Sequence, residues 1–146
     1  MKVVVERPVR ADAERLWGFV GRVADWADLL PTVDEVTIVD DGPTPHVGAR
    51  YALRQPGLPR LVYEVTKYVP QEHFTWVASA PGVCTTGTHT ITPARDGCLL
   101  TLTLGWTGTL SPLVALLFTT RTQRYVELEA DTFTALAEGR RRSGDR

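Results

Sequence analysis

The sequence predicts an α+β fold, a curved antiparallel sheet of about seven strands around a long C-terminal helix, with two short helices after strand 1. Three observations predict it. From Asp34 onward the apolar residues recur with period two, as strands require, through run after run. The gaps between later runs hold turn chemistry, Pro56-Gly57, Pro70-Gln71, Pro81-Gly82 and Asp96-Gly97, in connections too short for parallel crossovers. After the last run, Ser111-Pro112 opens a helical stretch to about Glu138, ~27 residues and ~40 Å long at 1.5 Å per residue.

The elements follow in order. Val3 and Val5 alternate with Val4 and Glu6 in a short strand that reaches Pro8. Asp12 is placed to cap the next helix, whose apolar face is Leu16, Trp17, Phe19 and Val20. Gly21 weakens that helix, and Val23 to Leu30 forms a second short helical segment stopped by Pro31. Trp17 and Trp26 are expected to pack these helices. Val36 to Val39 is a strand broken by Asp41-Gly42-Pro43. The remaining strands are Ala49–Gln55, Leu61–Val69, Phe74–Ser79, Thr85–Thr92 and Leu99–Trp106. Ser111 is expected at the cap of the final helix, with Pro112 in its first turn.

Alternation assigns the faces. Leu100, Leu102, Leu104 and Trp106 share one side, Thr101, Thr103 and Thr107 the other. By the same rule Tyr51, Leu53, Tyr63, Val65, Phe74, Trp76, His89 and Ile91 point inward. Phenols, indoles and an imidazole on one inner face need partners if dry, which suits an apolar cavity with a few convergent polar groups. On the final helix Leu113, Leu117, Arg121, Leu128 and Leu136 lie near one stripe, with Val114, Phe118 and Tyr125 beside it. Arg121 and Tyr125 are one turn apart. Gly87 is the expected place for a bulge that would reverse this parity.

At 146 residues the chain suits a single domain spanning 1–146, with 139–146 a flexible tail. The hydrophobic share is 43% and the formal net charge -1, so no large field points to nucleic acid. The basic run Arg140-Arg141-Arg142 reads as solvated tail. No run approaches the ~20 apolar residues of a membrane span, and the first residues lack a signal-peptide core, so a cytoplasmic protein is expected. Cys98 should face Pro93 across a turn while Cys84 lies about nine residues along the ladder, too far for a disulfide. The spacing of cysteines and histidines does not suggest a metal site, and no cofactor is expected. Nothing in the sequence sets an oligomeric state.

The order of elements, with Val47-Gly48 to Gln55-Pro56-Gly57-Leu58-Pro59, Phe74-Thr75-Trp76, Thr88-His89-Thr90-Ile91 and Gly105-Trp106-Thr107-Gly108-Thr109-Leu110, resembles the polyketide cyclase/dehydrase-like branch of the START-like (SRPBCC, Bet v 1-like) superfamily. The resemblance runs from Lys2 to about Glu138. It implies a helix-grip fold with a hydrophobic cavity between sheet and long helix, in a superfamily of lipid carriers, receptors, aromatases and cyclases. Fold analogy does not choose among them.

Three functional readings follow. In the first, the cavity binds a small hydrophobic ligand (polyketide, lipid or aromatic metabolite) through Tyr51, Leu53, Tyr63, Trp76, His89, Trp106, Phe118, Arg121 and Tyr125. In the second, a cofactor-independent cyclase, aromatase or dehydratase uses His89 as general acid or base, Tyr51 or Tyr63 to polarise a carbonyl, and Arg121 to hold an enolate. In the third, the interior is filled and leaves no cavity of ~300 Å³.

Overall fold

The computed structural model describes residues 2–39 and 45–139. The Asp41-Gly42-Pro43 break and the Arg140 to Arg142 run lie outside the described residues. The elements are β1 (Lys2–Val9), α1 (Ala13–Val20), a single 3-10 turn (Val23–Asp25), α2 (Trp26–Leu29), β2 (Glu35–Ile38), β3 (Arg50–Arg54), β4 (Leu61–Val69), β5 (His73–Ala80), β6 (Val83–Ala94), β7 (Gly97–Thr107) and α3 (Ser111–Ala137). All strands join one antiparallel sheet in the order β1-β7-β6-β5-β4-β3-β2. This is the helix-grip arrangement expected, with α3 of 27 residues lying across the sheet's inner face.

Local chemistry sets the helix ends. The Asp12 carboxylate accepts from the Arg15 amide at 2.8 Å, so it caps α1. Ser111 does not cap α3. The cap position is Leu110, and the Ser111 hydroxyl turns back to the Gly108 carbonyl at 2.8 Å. Pro112 occupies the first turn, where a missing N–H is harmless.

The parity of the strands holds. Tyr51, Tyr63, Val65, Phe74, Trp76, Ile91, Leu100 and Leu102 are all buried. The one register shift lies between Val65 and Lys67 on β4, not at Gly87, through which both ladders of β6 run unbroken. Gly87 is needed for another reason. Trp76 sits opposite it on β5, and a Cβ at Gly87 would lie 2.7 Å from the indole Nε1. Cys98 does face Pro93, Cys84 faces Thr107, and both thiols are free.

The long helix differs from expectation in its facing. Leu113, Leu117 and Leu128 are exposed, as is Leu116 at 82%. Its buried positions are instead Ala115, Thr122, Val126, Ala130, Phe133 and Ala137 among others. The C-terminal half is fastened closely. Arg15 Nε donates to the Ala137 carbonyl at 2.5 Å, and Arg7 pairs with Asp131 at 2.7 Å. Small residues let this half approach the sheet, whereas the first turns stand off it.

Gly87→Ala should therefore press a methyl into a packed indole and lower stability by about 1–3 kcal/mol. Urea denaturation checks this, and a midpoint equal to wild type would show that Trp76 yields freely.

Candidate functional site

A cavity of about 200 Å³ lies between the sheet and the stand-off half of α3. It exceeds the ~150 Å³ hole that accepts benzene yet falls below the ~300 Å³ lower end of drug-sized pockets. The void is smaller than the ~300 Å³ expected of a full-sized ligand site, and the space suits one or two rings.

Each wall is traceable to an element. Leu53 on β3, Leu61 and Tyr63 on β4, Trp76 on β5, Thr85 and His89 on β6, and Leu102 and Trp106 on β7 come from the inward side of the sheet. Val114, Phe118, Thr122, Tyr125, Val126 and Glu129 come from α3, and Trp26 closes the inner end from α2. Leu58 and Pro59 of the β3–β4 connection complete the rim. Of the sequence-selected residues, Leu53, Tyr63, Trp76, His89, Trp106, Phe118 and Tyr125 meet here.

Tyr51 and Arg121 do not. Tyr51 is fully buried beneath the cavity wall, its hydroxyl without a partner. Arg121 is exposed and donates from Nη1 to the Gly57 carbonyl at 2.6 Å. One turn along, the Tyr125 hydroxyl donates to the Pro56 carbonyl at 2.5 Å. The pair does act together, but on backbone: it ties the β3–β4 connection to the helix. Gly57 has φ of +72°, a conformation open to glycine, and a Cβ there would meet the Arg121 guanidinium.

Trp76 is the hub of the ring cluster. It stacks on Tyr63 at 4.7 Å between centroids and meets the edges of Trp26, Phe74 and His89 at 5.3–5.5 Å. His89 itself stacks on Phe74 at 4.0 Å. Burial pushes its imidazole down to about 3, the Phe74 backbone opposing and His73 adding to the effect. At neutral pH His89 is thus uncharged, and its Nδ1 has no hydrogen-bond partner. A proton acceptor this weak is poorly matched to acid–base work near pH 7.

Glu129 was missed by sequence reasoning. It faces the cavity, and burial raises its carboxyl to about 7, the Thr32 hydroxyl pulling weakly the other way. That hydroxyl is itself buried and makes no formed hydrogen bond. Tyr63 lies near enough for the carboxylate to matter: burial first and Glu129 second raise its phenol well above the ordinary value. Trp26, expected mainly to pack the first helices, both packs and lines the cavity, with its Nε1 unpartnered. The signal for Glu129 was spacing. Phe118, Thr122, Tyr125 and Glu129 recur at four, three and four residues, one face of a helix.

Residues 1–138 match the family described as "Polyketide cyclase / dehydrase and lipid transport". The chain belongs to this family. No curated protein matches the sequence. Among solved structures, the Zhui aromatase/cyclase from Streptomyces sp. R1128 superposes with a TM-score of 0.77 at 18% identity, covering 100% of this chain and 99% of that one. Norcoclaurine synthase from Thalictrum flavum gives 0.74 at 17% identity, over 97% and 88%. Hypothetical protein jhp0584 from Helicobacter pylori gives 0.80 at 11%, over 94% and 88%. At such identities the likeness is one of fold. Among the described residues no helix is long and apolar enough to cross a membrane.

The half-buried Glu129 and the buried His89 tilt stability in opposite senses. Glu129 holds its proton more tightly folded than unfolded, so stability falls as pH rises from 4.5 to about 7. His89 holds its proton less tightly folded, so stability falls as pH drops from 6.5 toward 3. Glu129→Gln should stabilise the fold by about 1–3 kcal/mol at pH 8 and leave it unchanged at pH 4. Denaturant titrations at the two pH values check this; equal effects at both would refute a carboxyl that ionises near 7.

Proposed function

We propose that the chain binds a small, ring-bearing apolar ligand in the cavity between sheet and α3. Leu53, Tyr63, Trp76, His89, Trp106, Phe118 and Tyr125 are its contacts, joined by Trp26 and Glu129. The observation that carries this is a cavity of about 200 Å³ walled mainly by rings and aliphatic side chains, with Gln55, several threonines and Glu129 among them. Its size favours one or two rings over a two-chain lipid. Membership of a family described by cyclase, dehydrase and lipid-transport roles supports a ligand in this place.

The test uses the indoles as reporters. Titration with 1-naphthol should quench tryptophan emission saturably at one molecule per chain. Val114→Trp, at a partly exposed wall position, should fill the cavity and weaken that binding at least tenfold. Unchanged affinity in the variant would put the ligand elsewhere.

A second reading is acid–base catalysis of ring closure or dehydration, and one observation favours it: Glu129 has a pKa matched to neutral pH inside an apolar cavity. In this reading Glu129 transfers the proton in place of His89, the neutral phenol of Tyr63 donates to a substrate carbonyl, and Arg121 has no direct part. With a linear poly-β-ketone thioester as substrate, Glu129→Gln should lower kcat by about 10²–10⁴ and abolish a rate limb near pH 7. Full turnover in the variant would end this reading.

A further inference from the structure

The walls around Glu129 are peculiar for a carboxyl. Trp26, Tyr63, Trp76, Trp106, Phe118 and Tyr125 present rings to the cavity, and no lysine or arginine is among the residues that line it. Glu129 has no ion-pair partner among the described residues. Ring faces attract cations through their quadrupoles, and a carboxylate in an apolar site is stabilised by one opposite charge more than by anything else. A ligand that brought its own ammonium group would complete both.

We propose that the cavity takes a protonated amine joined to a ring, with the ammonium paired to Glu129 and the ring laid among the indoles. This rests on the ligand-binding reading above and names the ligand's class. The arrangement would reject anions, because a second negative charge would share a poorly solvated cavity with the carboxylate. It would also bind a neutral isostere less well whenever Glu129 is ionised, since the carboxylate then has nothing to offset its lost hydration.

The pairing should depend on pH through Glu129 alone. The titratable groups that share the cavity are Tyr63 from β4, His89 from β6 and Tyr125 on α3 itself. His89 is uncharged above about pH 4, and the Tyr63 phenol stays protonated through the range tested. Tyr125 has its hydroxyl on the Pro56 carbonyl, and Arg121, two turns before Glu129, is turned to Gly57 at the surface.

The experiment compares 2-phenylethylamine with its uncharged isostere n-propylbenzene by calorimetry at pH 5.5 and 8.5, on wild type and Glu129→Gln. Wild type should bind the amine about 30-fold more tightly at pH 8.5, the ratio set by a carboxyl titrating near 7 and an amine protonated throughout. Binding at pH 6 should release close to one proton, seen as a heat that changes with the buffer's ionisation enthalpy. Glu129→Gln should lose the pH dependence and the proton release while keeping the isostere. Saturable binding of n-propylbenzene with equal or weaker binding of the amine at pH 8.5 would overturn the proposal and leave the apolar cavity standing. If neither molecule binds at either pH, the ligand-binding reading falls and this proposal with it.

Discussion

The structure depends on how α3 meets the sheet: closely at one end and at a distance at the other. Ala130, Phe133 and Ala137 are buried, and two of the three are small enough to bring helix and strands together. Arg15 and Arg7 fasten the same half from α1 and β1. A straight helix of this length pinned at its C-terminal end has to leave a curved sheet as it runs the other way. The wedge between them is the cavity, and the exposure of Leu113, Leu116 and Leu117 is the outer consequence of the same geometry. Its open end is covered by a connection rather than by the helix, which is where Arg121 and Tyr125 hold backbone carbonyls.

Within the wedge, rings decide the shape. Trp76 can come this close to β6 because Gly87 has no side chain, and Tyr63 stacks on the same indole. Packing of this density leaves polar atoms behind. Trp26 Nε1, Tyr51 Oη and His89 Nδ1 are buried with no partner, each at a cost of about 1–3 kcal/mol. The imidazole answers by staying neutral at pH 7, which makes it a weak base for the role its residue type and inward position had suggested.

Much of this was legible in the sequence, for a reason that also marks where legibility stopped. Strand parity is a strict period of two, so Tyr63, Trp76, His89 and Trp106 could be placed inward, and the bulge at Thr66 did not disturb them because Val65 and Tyr63 precede it. The helix offers no such rule when its first turns are apolar all round. Leu113, Leu117 and Leu128 made the main stripe with Val114, Phe118 and Tyr125 beside it, and it is the flanking three that line the cavity. Arg121 went with that stripe, and its partner proved to be a carbonyl sixty-four residues away in sequence. Glu129 was passed over because a mid-helix glutamate ordinarily faces water. Only its spacing from Tyr125 and Phe118 said otherwise.

Placing a carboxyl at that position works against the fold. Ionised, it lacks a counter-charge; protonated, it still occupies a site where leucine would suit the helix equally well and bury no polar group. A domain whose interior served packing alone would gain from that leucine by removing a half-buried ionisable group. The wedge instead stays open and has one group whose charge can change near neutral pH, facing rings that would hold a cation and lacking a cation of its own. That combination is poorly explained by stability and well explained by a molecule that enters the cavity and is read by its charge.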